Sequence, residues 1–231
     1  MKPDLFILGD SHSEAIRIGA EALGLSCVAI TIGGLHWHNN VLKLGGRFGL
    51  KATYGKRNVE KVRHAADALE VEDLCDPHVP VIGSFAFHLG QLITPLKATG
   101  FSAYENDATT GPSEKRLTVS SGFVDAYIDQ NRSEQLRIAH ELSKNTSLVM
   151  VRQPKVIGNE TPNHRVFDQA ISDRLGAYGV NVYDHRSATC DPKTGFVRPD
   201  LLEDDGGHGS AEFGKASVQD MLDKGLLDRP K

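Results

Sequence analysis

The sequence lacks the features that would tie it to nucleic acid, a membrane or an oxidising compartment. It has no excess of positive charge: 26 lysines and arginines stand against 30 aspartates and glutamates, a net charge of −4. A nucleic-acid binder needs a basic footprint, so no such partner is expected. Local groups such as Lys51, Lys56 and Arg57 read as a solvated face. Three cysteines, Cys27, Cys75 and Cys190, are too few and too scattered for a disulfide framework or a zinc site. Cys27, in an apolar run, reads as a small buried hydrophobe. No apolar run approaches the roughly 20 residues that cross a bilayer, and the first strand starts too near Met1 to leave room for a signal peptide. The expectation is a soluble, cytoplasmic protein. With no repeat, low-complexity tract or linker, residues 1–231 are read as one domain.

What is present is a regular alternation. Five short apolar runs, Leu5–Leu8, Cys27–Ile32, Val79–Phe87, Leu148–Gln153 and Val180–Tyr183, show little strict alternation, as strands covered on both faces do. Helical stretches fall at Glu14–Leu23, Asn58–Leu69, Gly122–Ser143, Arg165–Tyr178 and Ala211–Lys224. Strands alternating with helices predict a parallel sheet with right-handed crossovers. In such sheets the site lies at the carboxyl ends of the strands. Those ends carry Ser11, then Gly33-Gly34 with His36-Trp37-His38-Asn39-Asn40, then Gly83-Ser84 and His88, then Gln153, then Asp184-His185-Arg186. The glycine-rich stretch from Gly45 to Gly55 reads as an irregular loop, and Gly100 to Gly122 as a long polar one.

Two of these places carry chemistry. Gly9-Asp10-Ser11-His12-Ser13 closes the first strand and opens the first helix. Backbone N–H groups are left unpaired at such a corner, and the helix dipole adds partial positive charge. A serine there sits beside ready-made anion stabilisation. The same residues are also good helix caps. At the far end, Asp205-Gly206-Gly207-His208 lies in a tight loop before the last helix. A carboxylate three residues before a histidine can hold that imidazole by one nitrogen and leave the other to take a serine proton.

Gly-Asp-Ser after the first strand with Asp-x-x-His before the last helix resembles the SGNH (GDSL-type) hydrolases. The resemblance runs nearly the length of the chain. It implies a three-layer α/β/α sandwich, flavodoxin-like, with a five-stranded parallel sheet. It makes Ser11 the nucleophile, His208 the general base and Asp205 its orienting carboxylate, with the neighbouring Asp204 a solvated residue. It gives oxyanion donors at the backbone of Ser11 and at Gly33 or Gly34. The family's third donor is an asparagine after the third strand, and here the chain departs from it: Val81 to His88 contains none, and Asn106-Asp107 lies well downstream. Ser84 is the nearest substitute, with His88, Asn39 and Asn40 as alternatives.

Around the corner, His36, Trp37, His38 and His88 are candidate substrate-pocket residues, Trp37 as an aromatic face for a sugar or acyl chain. Its other reading is a loop anchor in the core. A histidine metal cluster of His36, His38, His88 and His185 has no carboxylate or cysteine at ligand spacing, so no metal and no cofactor are expected. The implied function is hydrolysis of an acyl ester, on a carbohydrate or small molecule, through a Ser11 acyl-enzyme. The alternatives are an acyltransferase, or a binding protein that kept the fold.

Overall fold

A computed structural model describes residues 2–98, 101–102, 117–118, 120–157 and 161–228. Its centre is a five-stranded parallel sheet of β1 (Leu5–Gly9), β2 (Cys27–Thr31), β5 (Val81–Ser84), β8 (Leu148–Val151) and β9 (Asn181–Tyr183), in the order β2-β1-β5-β8-β9. Counting sheet strands alone, this is 2-1-3-4-5, the flavodoxin-like order, whose switch point lies beside β1. Side chains alternate across β1. Phe6 and Leu8 face the larger core, with α3 (Lys56–Leu69), α5 (Ser121–Asn145) and α6 (Pro162–Ala177). Leu5 and Ile7 face the smaller one, with α1 (His12–Ala22) and α8 (Ala211–Asp223). Burial of each such side chain stabilises the fold by about 1.5–3 kcal/mol, and the strand is apolar throughout because both faces are covered.

Helices α1 and α8 approach backbone to backbone. A Cβ on Gly214 would lie 1.8 Å from the carbonyl oxygen of Ala15, and one on Gly19 would lie 2.1 Å from the Lys215 nitrogen. The crossing therefore tolerates no side chain at either position. It fixes the start of α8 against the start of α1, and that juxtaposition builds the site described below.

The regions between the sheet strands differ from expectation in three places. His36-Trp37-His38, given no element in the sequence reading, lies in a short helix, α2 (Gly34–His38). The Gly45–Gly55 stretch is not an irregular loop. It largely forms a hairpin of β3 (Leu42–Phe48) and β4 (Leu50–Ala52), with Gly45, Gly46 and Gly49 at positive φ. A helix unforeseen in the sequence, α4 (Leu89–Ala98), follows β5 and accommodates Pro95 within it. A short parallel pair, β6 (Phe101–Ser102) and β7 (Leu117–Thr118), accounts for the described part of the long polar segment. Asn106-Asp107 lies outside the described residues. A four-residue α7 (Arg186–Thr189) follows β9. Cys27 is half-buried, not fully enclosed, and burial pushes its thiol up to about 11. No helix among the described residues is long and apolar enough to cross a membrane.

Candidate active site

The corner after β1 is tied down before any functional atom is placed. Asp10 caps the start of α1, its Oδ1 accepting the His12 N–H at 2.9 Å. Ser13 donates to the Asp10 carbonyl at 2.6 Å and meets Thr31 Oγ1 at 2.9 Å. With those residues doing the capping, Ser11 occupies the N-cap position with no side-chain cap bond, and its hydroxyl is free to point elsewhere. It points at His208: Ser11 Oγ lies 2.9 Å from His208 Nε2.

His208 is held by its own loop. Gly206, at positive φ, lets the chain turn, and the Glu203 and Gly206 N–H groups close the loop on the His208 and Glu203 carbonyls. Asp205 Oδ1 accepts from the backbone of Gly207 and His208 at 2.8 and 2.9 Å, while Oδ2 lies 2.5 Å from His208 Nδ1. These bonds, the two backbone N–H groups first, hold the Asp205 carboxyl well below the usual carboxylate range. With Nδ1–H donated to Asp205, Nε2 carries the lone pair and accepts from the Ser11 hydroxyl. The row is open to solvent, His208 being 43 % and Asp205 54 % exposed in their side chains. Asp204 is exposed and takes no part. The His12 ring stacks on His208, with centroids 4.8 Å apart, and burial pushes the His12 imidazole below its ordinary value.

Directly behind Ser11 lies a second carboxylate–imidazole cluster that the sequence does not announce. Asp10 is completely buried. Its Oδ2 lies 2.7 Å from His88 Nε2, off the line of a hydrogen bond. Its Oδ1 accepts from the Ser84 hydroxyl at 3.0 Å, and its backbone N–H reaches the same Ser84 oxygen at 3.3 Å. Burial would raise the Asp10 carboxyl, but His88, His12 and the Ser84 hydrogen bond outweigh it and hold the group below its ordinary value.

This cluster corrects two expectations. Ser84 is buried, and its hydroxyl proton is already donated to Asp10, so it is not placed to receive an oxyanion. His88 is buried against Asp10, with Nδ1 3.5 Å from the Gln153 amide nitrogen, and does not line an open pocket. The Gly34 backbone packs on the same ring: a Cβ there would lie 2.5 Å from His88 Nδ1.

Trp37 is a third correction. It is fully buried, stacks on Phe85 at 4.9 Å and donates its indole N–H to the Gly9 carbonyl at 2.8 Å. It anchors α2 to the corner and offers no face to a substrate. His36 and His38 do sit towards solvent. His36 Nδ1 meets the Tyr54 hydroxyl at 3.1 Å, and His38 Nδ1 accepts from Arg132 at 3.1 Å. Among the described residues no three histidine, cysteine or carboxylate side chains gather as a metal set.

Two residues of α5 brace this region. Arg132 is buried and bonds the carbonyls of Ala86 and His88 as well as His38, and burial pushes its guanidinium down to about 10. Gln135 donates to the Trp37 carbonyl at 2.6 Å. In sequence both fall at the helical spacing of Ile128, Ala139 and Leu142, so the period places them on the buried stripe and only their polar side chains argue for solvent. A cavity of about 240 Å³ opens over the ends of β8 and β9, lined by Arg152, Gln153, His164 and Asp184 among others. It includes none of Ser11, Asp205 and His208.

No protein-family model matches the sequence, and no curated protein matches it. Solved structures do resemble it. A Parabacteroides merdae protein described as a GDSL-like lipase superposes with a TM-score of 0.51 at 12% identity, covering 98% of each chain. An acetylxylan esterase from Geobacillus stearothermophilus gives 0.49 at 12% identity, covering 96% of this chain and 93% of the other. Phospholipase A1 from Streptomyces albidoflavus gives 0.47 at 10% identity, covering 97% and 99%. At 12% identity the likeness to the GDSL-like lipase is one of fold alone, and both chains are covered almost end to end.

Proposed function

We propose that the protein is a serine esterase that works through a Ser11–His208–Asp205 triad and a covalent acyl-enzyme. The observation that carries this is the hydrogen-bonded row from the Ser11 hydroxyl through both nitrogens of His208 to Asp205. A serine is a weak nucleophile until a base takes its proton, and the row supplies base and orienter in the required order. The Ser11 oxygen attacks the ester carbonyl carbon as its proton passes to His208 Nε2. Asp205 stabilises the imidazolium. The tetrahedral oxyanion faces the backbone N–H of Ser11, at the start of α1, and those of Gly33 and Gly34, after β2. When the intermediate collapses, His208 returns the proton to the departing alkoxide. Water then repeats the cycle on the acyl-enzyme and frees the carboxylic acid. The reaction needs no cofactor. The solvent exposure of His208 and Asp205 favours water over a second alcohol as the acceptor.

A fluorophosphonate probe tests the reading, because it labels only an activated serine. The wild-type protein is expected to label at Ser11 and the Ser11→Ala variant not at all. Equal labelling of both, or labelling at Ser13, would overturn it.

A further inference from the structure

The hairpin and the helix after it carry charge in places where charge costs stability. Residues 42–63 contain seven lysines and arginines and one carboxylate, Glu60, in a chain that is acidic overall. Lys43 stands directly opposite Lys51 across the hairpin, both exposed, while Leu42, Leu44, Leu50 and Ala52 turn inward. Like charges directly opposite on a sheet face repel. Lys56 and Arg57 begin α3, whose first turn has no acidic residue. Cations at that end oppose the helix dipole.

Among the described residues no carboxylate pairs with Lys43, Arg47, Lys51, Lys56 or Arg57. The carboxylates at the hairpin's edges are engaged: Glu134 with the Leu44 N–H and Arg137, and Asp73 with the Cys75 N–H beside Gly49. A sequence that departs from local stability at two adjacent elements in the same sense points to function there.

The basic face also connects to the candidate site. Tyr54, just after β4, is exposed and bonds His36 of α2, two residues beyond Gly34. Lys61 donates to the Thr31 carbonyl at the end of β2, and the Thr31 hydroxyl meets Ser13. Tyr54 and His36 thus stand between the hairpin and Gly33-Gly34, the glycines that follow β2.

We infer that this surface binds a polyanionic glycan, and that the acyl ester delivered to Ser11 is carried on it. The inference rests on the esterase reading for its second half only. Repeating carboxylate or phosphate groups fit cations spread along a ribbon, and the exposed Tyr54 and His36 rings, tilted at 50° with centroids 5.5 Å apart, offer aromatic faces to a sugar ring. Contacts between exposed charges are screened within about 8 Å at physiological salt, so the binding is salt-sensitive.

Affinity electrophoresis of the Ser11→Ala protein separates binding from turnover. Retardation is expected in gels containing polygalacturonate or polyphosphate and not in gels containing neutral dextran. The two polyanions distinguish carboxylate from phosphate recognition. The triple variant Lys43→Glu, Arg47→Glu, Lys51→Glu should lose the retardation. In a Ser11-bearing protein the same triple variant should hydrolyse 4-nitrophenyl acetate within about twofold of wild type, while its KM for O-acetylated polygalacturonate rises by about tenfold or more.

A second variant, Lys56→Glu with Arg57→Glu, should raise Tm and still weaken retardation, which no loss of folding can imitate. No retardation by either polyanion at low salt, or equal retardation of the triple variant, overturns the inference. So does retardation by single-stranded DNA or anionic vesicles alone. If the wild type fails to cleave 4-nitrophenyl acetate, the esterase reading falls, while retardation still decides the polyanion site.

Discussion

Two carboxylate–imidazole pairs lie on either side of one peptide bond, and they differ in almost everything but composition. Asp205 and His208 are half-exposed, three residues apart and fixed by a loop that closes on itself. Asp10 and His88 are 0 % and 8 % exposed in their side chains and come from different strand ends. Burial decides what each can do. The exposed pair can reach a substrate and exchange a proton with it. The enclosed pair has no room for a substrate atom; it fixes the backbone from which Ser11 projects. The same chemistry thus supplies a reagent on one side of the corner and a foundation on the other.

That division predicts opposite signatures. On the exposed side, His208→Ala should lower turnover on a small ester by about 10⁴-fold or more and leave the thermal midpoint nearly unchanged. A midpoint that falls with activity would mean that the loop is structural too. On the buried side, Asp10→Ala should cost about 3–5 kcal/mol of stability, the usual result of removing one partner of a buried pair. Urea unfolding measures it; an unchanged midpoint would show that the cluster contributes nothing.

Ser84→Ala should be milder, costing about 1–3 kcal/mol because Asp10 loses a donor. Turnover should stay within a few-fold, against the 100- to 1,000-fold loss expected for an oxyanion donor. A hundredfold loss at full stability would restore Ser84 to the reaction. The finest comparison is with acid. Asp10 has a folded pKa below its unfolded value of about 3.9. Its contribution is therefore complete above that value and is lost as pH falls through the folded pKa. In the Asp10→Asn variant the acid limb of a stability-against-pH curve should flatten. An identical limb would place the acid sensitivity elsewhere.

The exposed pair was legible in the sequence and the buried one was not, for a physical reason. Asp205 and His208 signal themselves through local spacing in a glycine-rich turn, and Ser11 through the end of an apolar strand. The parallel sheet followed from strands without alternation, separated by helices, and its flavodoxin-like order was implied by the family resemblance. Asp10 and His88, by contrast, lie 78 positions apart along the printed sequence, and no periodicity carries such a partnership. Trp37 shows the same limit. A lone tryptophan among histidines suits a pocket mouth as well as a core, and only its bond to Gly9 decides. Arg132 and Gln135 were marked by their helical spacing with Ile128, Ala139 and Leu142, and their polar side chains hid that signal. The hairpin is a different case. The alternation of Leu42-Lys43-Leu44 and Leu50-Lys51-Ala52 was there to be read, and the glycines between them masked it.

The contact of Gly19 with Gly214 has a consequence for the order in which function arrives. A chain leaving the ribosome folds from its N-terminus, so Ser11 and its corner emerge well before α8. The partner of Ser11 is 197 residues away, and the crossing that brings it there requires α8. Until that helix has been made and docked, the nascent protein holds a serine with no base and forms no acyl-enzyme. The activity proposed here therefore begins only once α8 is in place, which keeps a chain that stops short of it chemically silent.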